Sequence, residues 1–298
     1  KDIRLSVAKL QSALLKDMPE AKQPTATAFI FKTTYNGKEE VWGATAGHIA
    51  KGMGNNLLLI FYEGDQKFVV PAQVVQYGPN MISDIALLKL PDNLPAQINP
   101  LPLAEPPFAL GEPFISAGYC AHDLVYTGKQ VLQKDNQRFL RTDYTVPLSQ
   151  RAGLCGAPLI NSQGAVTGIH CGSVWNNTTG YASNVKVLSY LLKAQHEGTA
   201  EIPLVAGKVV FGNIKTTEHI HSIEALDAEF RDLARYDTAN RLTQSTMLSL
   251  LQEPGTRYLR FMLEDRKANP VDFNMRNDFR YLIYDKETQT SHFEPIHW

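Results

Sequence analysis

Only three cysteines occur in the 298 residues, Cys120, Cys155 and Cys171. The count is odd and no two stand as the close pair a zinc site uses, so neither a disulfide framework nor a structural zinc is expected and reduced thiols are. Charge of one sign is equally scarce. Twenty-nine basic side chains against 30 acidic ones leave a net charge of -1, with no global pull toward nucleic acid or anionic lipid. No apolar run approaches the roughly 20 residues a membrane-spanning helix needs. The opening KDIRLSVAKLQSALLKDMPE lacks the apolar block and small-residue cleavage site of a signal peptide. An intracellular chain is expected, in which the glycosylation-type matches at Asn176 and Asn177 are idle.

What is present is ordinary for a globular chain, 44% hydrophobic and 20% charged, long enough for two domains or one large one with an appendage. Ile3, Val7, Leu10 and Leu14 recur at helical spacing and predict an N-terminal helix ending before Met18-Pro19. From Thr25 to Ser183 the signal changes to short β-branched and aromatic runs, with hairpin turns expected at Asn36-Gly37 and Glu63-Gly64-Asp65. Many short strands point to a sandwich or barrel, and the proline-rich Pro91 to Pro107 reads as a crossover between two halves. Asn184 is placed to cap a helix through about Ala194, which His196-Glu197-Gly198 would end.

Further on, Ile223, Leu226, Phe230 and Leu233 follow helical spacing behind Ser222. A second helix is expected over 242–251, and Tyr258 to Leu263 and Phe279 to Tyr284 read as extended. The expected organisation is therefore an N-terminal helix and first barrel over 1–100, a second barrel with its closing helix over 101–203, and a small α+β accessory domain over 204–298.

Three sites carry chemistry. His48 lies in ATAGHIA after a β-rich run, Asp84 heads the apolar SDIALLKL, and Cys155 sits between glycines in RAGLCGAPLINSQGAVTGIHCG. Singly, each has a bland reading as a satisfied histidine, a strand-cap acid and a small buried hydrophobe. Together they differ. A thiol becomes a useful nucleophile when a neighbouring imidazole stabilises its thiolate and delivers a proton to the leaving group. Glycines flanking Cys155 would allow a tight turn that turns backbone N–H groups outward, as an oxyanion hole requires. Base, acid and nucleophile also occur in the chain order of a chymotrypsin-type triad.

With that order, TAGH, SDIALLKL and AGLCGAPL, followed by GIH in the next strand, make the chain resemble the viral chymotrypsin-like (3C-like) cysteine proteases of positive-strand RNA viruses. It is similar to the picornaviral 3C group, and GLCGAPLINSQGAVTGIH is particularly similar to the potyviral nuclear-inclusion protease. The resemblance spans about residues 20–195. It implies a mainly β fold, a chymotrypsin-like double antiparallel β-barrel, and a cysteine endopeptidase that processes a viral polyprotein in the host cell cytoplasm, with no cofactor, metal or membrane.

By the same resemblance His48 is the general base and acid, Cys155 the nucleophile and Asp84 the group that orients the imidazole. The amides of Gly153, Leu154 and Cys155 are the oxyanion donors. His170 lines the pocket for a Gln or Glu side chain just before the cut bond. Gln150 stands where picornaviral relatives carry a Thr, with Ser149 and Thr145 nearby, and Tyr144 is a candidate to fix the imidazole of His170.

The appended domain is similar in plan to that of nidovirus main proteases, whose coronaviral branch has a helical domain that supports dimerisation, so a homodimer is open. An RNA-binding or scaffold module on a protease fold is the alternative from another class, although Lys9, Lys16, Lys22, Arg138 and Arg141 are scattered and form no stripe. A cellular serine hydrolase with a replaced nucleophile is the third reading.

Overall fold

The computed structural model describes residues 2–16, 25–78, 84–105, 111–120, 123–135, 139–145, 153–173, 178–204, 207–212, 218–237, 250, 252–265, 278–288 and 290–295. Ser149, Gln150, Asn176, Asn177, Lys22, Arg138, Met18 and Pro19 lie outside these, as does the helix expected over 242–251 apart from Leu250. The chain divides into two compact units, the first holding 1–78 and 83–189 and the second 79–82 and 190–298.

Seven strands open the first unit: β1 (Val7–Ser12), β2 (Ala26–Tyr35), β3 (Lys38–Thr45), β4 (Asn56–Glu63), β5 (Gln66–Tyr77), β6 (Ala86–Lys89) and β7 (Leu101–Pro102). They form a sheet in the order β1-β4-β5-β6-β3-β2-β7, and an additional β1–β2 pairing closes six of them into a barrel. Alternation fills it: Ala8, Leu10, Ile30, Leu59, Phe61 and Leu88 point inward. The expected turns are present, Asn36 and Gly37 both at positive φ between β2 and β3, and Gly64 between β4 and β5.

The N-terminal helix is a correction. Residues 7–12 are instead the strand that closes the barrel, flanked by single 3-10 turns at Ile3–Leu5 and Ala13–Leu15. Every residue of β1 is buried, because Ala8 and Leu10 face the barrel interior while Val7 and Lys9 lie on the covered outer side. A strand covered on both faces shows no polar alternation, and the remaining spacing of apolar residues mimicked a helix.

The second sheet has the order β10-β11-β14-β13-β12-β8-β9, a half-barrel made of β8 (Ile115–Cys120), β9 (Asp123–Thr127), β10 (Gln130–Asp135), β11 (Phe139–Asp143), β12 (Pro158–Ile160), β13 (Val166–Ser173) and β14 (Thr179–Asn184). Phe114, Val131, Tyr144, Leu159 and Ala182 form its core. The proline-rich stretch joins the two sheets: β7 runs parallel to β2, and Ala104 N donates to Val166 O at 2.8 Å. The fold is thus mainly β, a closed six-stranded barrel and a half-barrel in the manner of a chymotrypsin-like double β-barrel. The helix α2 (Lys186–Glu197) follows. Asn184 Oδ1 accepts from Lys186 N at 2.9 Å, and Gly198 stands at positive φ just past the end.

The second unit contains a hairpin of β15 (Thr199–Leu204) and β16 (Gly207–Gly212). It also holds an antiparallel sheet ordered β18-β17-β19-β20-β21, built from β17 (Glu218–Leu226), β18 (Asp232–Asp237), β19 (Tyr258–Asp265), β20 (Asp278–Asp285) and β21 (Thr290–Pro295). The helix expected behind Ser222 is a second correction, since Ile223 and Leu226 end β17 and Leu233 lies in β18. The turn between them is stabilised by Asp227 Oδ1, which accepts from Glu229 N and Arg231 N at 2.9 Å each, a local bonding pattern that competes with helix. Phe230 takes φ 60 there and stacks on Tyr258 with ring centroids 4.3 Å apart. The two runs read as extended fall in β19 and β20. Among the described residues no helix is long and apolar enough to cross a membrane.

Candidate active site

His48 is the second residue of a short helix, α1 (Gly47–Met53), that leaves the end of β3, and Asp84 stands just before β6. The strand pairing of β3 with β6 brings these ends together. His48 N donates to Asp84 Oδ1 at 2.7 Å, and Nδ1 meets Oδ2 at 2.5 Å. Gly47 permits this approach, since a Cβ there would lie 2.9 Å from Asp84 Oδ1 and 3.2 Å from Ile85 N. The His48 side chain keeps 47% of its surface exposed and that of Asp84 20%. Partial burial works against a charged His48 imidazole, but hydrogen bonds to Asp84 and Cys155, together with their charges, outweigh it and push the group up to about 10.

Cys155 is half-buried in the loop before β12, with its sulfur in hydrogen-bonding reach of His48. Two left-handed glycines shape the loop. Gly153 (φ 103) and Gly156 (φ 93) lie so close to other backbone that a Cβ would strike Tyr119 O at the first and Thr27 O at the second. Leu154 anchors the loop from inside, packed with Cys120 and Ala157. Gly156 N donates to His170 O at 2.8 Å and Ala157 N to Leu154 O at 2.8 Å. Among the described residues no group accepts from the amides of Gly153, Leu154 or Cys155. An arrangement of imidazole, sulfur and unengaged amides can transfer a proton, form a covalent bond and hold a developing oxyanion.

His170 lies on β13 with 1% of its surface exposed. Its Nδ1 meets the Tyr144 hydroxyl at 2.6 Å, and the two rings stand edge to face, 5.1 Å apart at 85°. Tyr144 in turn packs edge-on against Phe114 at 5.4 Å. Thr145 is exposed and its hydroxyl meets that of Thr127 at 3.1 Å, whereas Gln150 is outside the described residues.

Sequence reasoning gave three neighbours no place in the site. Cys171 is the extra residue of a β-bulge beside His170, and its Sγ donates to Tyr181 O at 3.4 Å. Burial pushes its thiol well above the ordinary range, and the charges of Asp84 and Cys155 add to that against a weaker hydrogen bond to Ser183. Ser183 Oγ accepts from Asp84 N at 3.0 Å, and Thr27 reaches the Cys155 loop. Neither hydroxyl carries a local sequence signal. Among the described residues no group of three or more His, Cys, Asp or Glu side chains is placed to hold a metal ion.

Comparison with solved structures finds the protease Rv3671c of M. tuberculosis in its active form, 22% identical, with 63% of this chain and 80% of that one covered and a TM-score of 0.46. A human pathogenic astrovirus serine protease is 20% identical (61% and 90% covered, TM-score 0.42). The MamO protease domain from Magnetospirillum magneticum is 18% identical (63% and 95% covered, TM-score 0.48). No curated protein matches the chain. Residues 26–169, the span that holds His48, Asp84 and Cys155, match the family described as trypsin-like peptidase domain, which supports reading the chain as a protease.

Proposed function

We propose that the protein is a cysteine endopeptidase of the viral 3C-like type that cuts a polyprotein after Gln or Glu. The observation that carries the reading is the coupling of one imidazole to two partners, His48 to Asp84 at 2.5 Å on one side and to the Cys155 sulfur on the other. In the reaction, the Cys155 sulfur, its proton already passed to His48 Nε2, attacks the carbonyl carbon. The amides of Gly153, Leu154 and Cys155 receive the oxyanion. His48 then returns the proton to the leaving amine, a thioester remains on Cys155, and a water deprotonated by His48 releases the acid. Asp84 holds Nδ1 so that Nε2 faces the sulfur.

Selection of the substrate falls to His170. A Tyr144 hydroxyl that donates to Nδ1 leaves the proton on Nε2, which then donates to the side-chain carbonyl of a Gln or Glu; an apolar analogue offers that proton no acceptor. Thr145 and Gln150 belong to the same pocket in this reading. The further expectations, a viral polyprotein as partner, the host cell cytoplasm as location and 204–298 as an accessory domain, rest on the resemblance of the motifs. RNA binding is less favoured, as Lys9, one of its basic residues, is fully buried.

The experiment is cleavage of a mixed peptide library by the native protein and by Cys155→Ala, with products read by mass spectrometry. Cuts after Gln or Glu that vanish in the variant support the proposal. Cuts that persist in Cys155→Ala, or that follow other residues, overturn it.

A further inference from the structure

Thr27, at the start of β2 in the first barrel, is fully buried and uses all of its polar atoms across or beside the junction with the second sheet. Its hydroxyl donates to Gly153 O at 2.9 Å and accepts from Tyr119 N at 2.9 Å. Its amide donates to Cys155 O at 3.1 Å, and its carbonyl accepts from Thr45 Oγ1 at 2.7 Å. Gly118 is bare where this threonine passes, since a Cβ there would stand 2.8 Å from Thr27 Oγ1 and 2.9 Å from the Ala157 Cβ.

The consequence follows from peptide planarity. In a trans peptide the carbonyl and the next N–H point in opposite directions, so holding a carbonyl aims the N–H after it. Thr27 holds the carbonyls of Gly153 and Cys155, at both ends of the segment whose amides have no acceptor among the described residues. The Gly153 carbonyl fixes the direction of the Leu154 N–H. The Cys155 carbonyl fixes that of Gly156, whose N–H meets His170 O at 2.8 Å. Gly153, at φ 103, is in backbone space with no side chain to hold it, and the hydroxyl of Thr27 supplies that restraint from another barrel.

We propose that Thr27 is a positioning residue for acyl transfer, its hydroxyl locking the Cys155 loop in the conformation that turns its amides toward the oxyanion. This rests on the cysteine endopeptidase reading. Ser183 is the reciprocal device: a buried hydroxyl of β14 that accepts from Asp84 N at 3.0 Å, so that each barrel holds the other's catalytic segment.

The test separates attack that needs an oxyanion hole from attack that does not. Peptide cleavage passes through an oxyanion. Alkylation by iodoacetamide does not: the sulfur forms a bond to a saturated carbon and iodide leaves. Native protein, Thr27→Val and Thr27→Ser are compared for kcat, KM and the alkylation rate of Cys155. Loss of the hydroxyl is expected to lower kcat about ten- to a hundredfold, on the scale of a misdirected oxyanion donor. KM and the alkylation rate should stay within about threefold of native, and Thr27→Ser should recover most of kcat.

Thr27→Ala removes the hydroxyl without setting a methyl against two polar atoms and gives the same reading should Thr27→Val not fold. Native kcat in a variant without the hydroxyl, or a parallel fall of kcat and alkylation, overturns the proposal. A native protein that cuts nothing overturns the endopeptidase reading instead, and the two failures are told apart by that control.

Discussion

Replacing Tyr144 by Phe removes one hydroxyl and almost nothing else. The Phe114 contact and the edge-to-face packing on His170 both use the ring, which Phe keeps. The lost group is the partner of His170 Nδ1 at 2.6 Å, and with His170 and Tyr144 each only 1% exposed, no water replaces it without rearrangement. An unsatisfied buried acceptor costs about 1–3 kcal/mol, which at 1.4 kcal/mol per decade is roughly 5- to 150-fold in an equilibrium.

Two outcomes are available to the imidazole. It can bear the penalty, or move its proton to Nδ1 and leave Nε2 an acceptor, unable to donate to a glutamine carbonyl. The second relieves the penalty, and it costs discrimination. The ratio of kcat/KM for a peptide with Gln before the cut bond to that for its methionine analogue should fall by about ten- to a hundredfold in Tyr144→Phe, with cleavage of the methionine peptide little changed. Melting should fall by a few degrees, at about 2–4 °C per kcal/mol for a chain of this size. Paired peptide kinetics supply the check. An unchanged Gln-to-Met ratio in a folded variant refutes the assignment of His170 to the pocket.

His48→Ala should abolish cleavage, whereas Asp84→Ala should lose less, because the imidazole keeps its place beside Cys155 when only its orienting group is removed; equal abolition in two folded variants, measured by kcat/KM, contradicts that ranking. Iodoacetamide at pH 6 to 7 should label Cys155 ahead of Cys120 and Cys171, since Cys120 is buried and the Cys171 thiol is pushed up, and peptide mapping that finds equal rates at all three removes the claim of an activated nucleophile. His48, held above its ordinary 6.5 at about 10, contributes stability that is complete below pH 6.5 and is lost as pH rises toward 10, so the melting temperature of the native protein should drop more between pH 6 and pH 10 than that of Asp84→Asn. Matching pH profiles would show that the coupling to Asp84 carries no stability, as partial exposure of His48 already limits its size.

Period and turn chemistry made much of the first unit legible. Asn36-Gly37 fixes a two-residue hairpin with Tyr35 opposite Lys38, and Asn184 caps the helix it was expected to cap. Where both faces of a segment are covered, the pattern loses its meaning. That is why residues 7–12 read as helix and are a barrel strand. In the second unit, four apolar residues at helical spacing are split, three in two strands and Phe230 in the Asp227 turn between them, whose side-chain bonds no periodicity registers.

The site divides in the same way. His48, Asp84, Cys155 and His170 sit in short motifs that a reading of the sequence can single out, and the fold brings the first three into reach of one another. Thr27 and Ser183 act through contacts that span 126 and 99 residues of chain, and an isolated hydroxyl in a strand says nothing about a carbonyl or amide so far away.

The most direct measurement is the mass of the acyl-enzyme. Native protein is mixed with a peptide ester ending in Gln, quenched in acid within the first turnovers and mapped by proteolysis and mass spectrometry. The account predicts a mass increase equal to the acyl group, carried as a thioester on the fragment containing Cys155 and absent from Cys155→Ala. Turnover of the ester with no adduct on Cys155, or with the acyl group on another side chain, contradicts it.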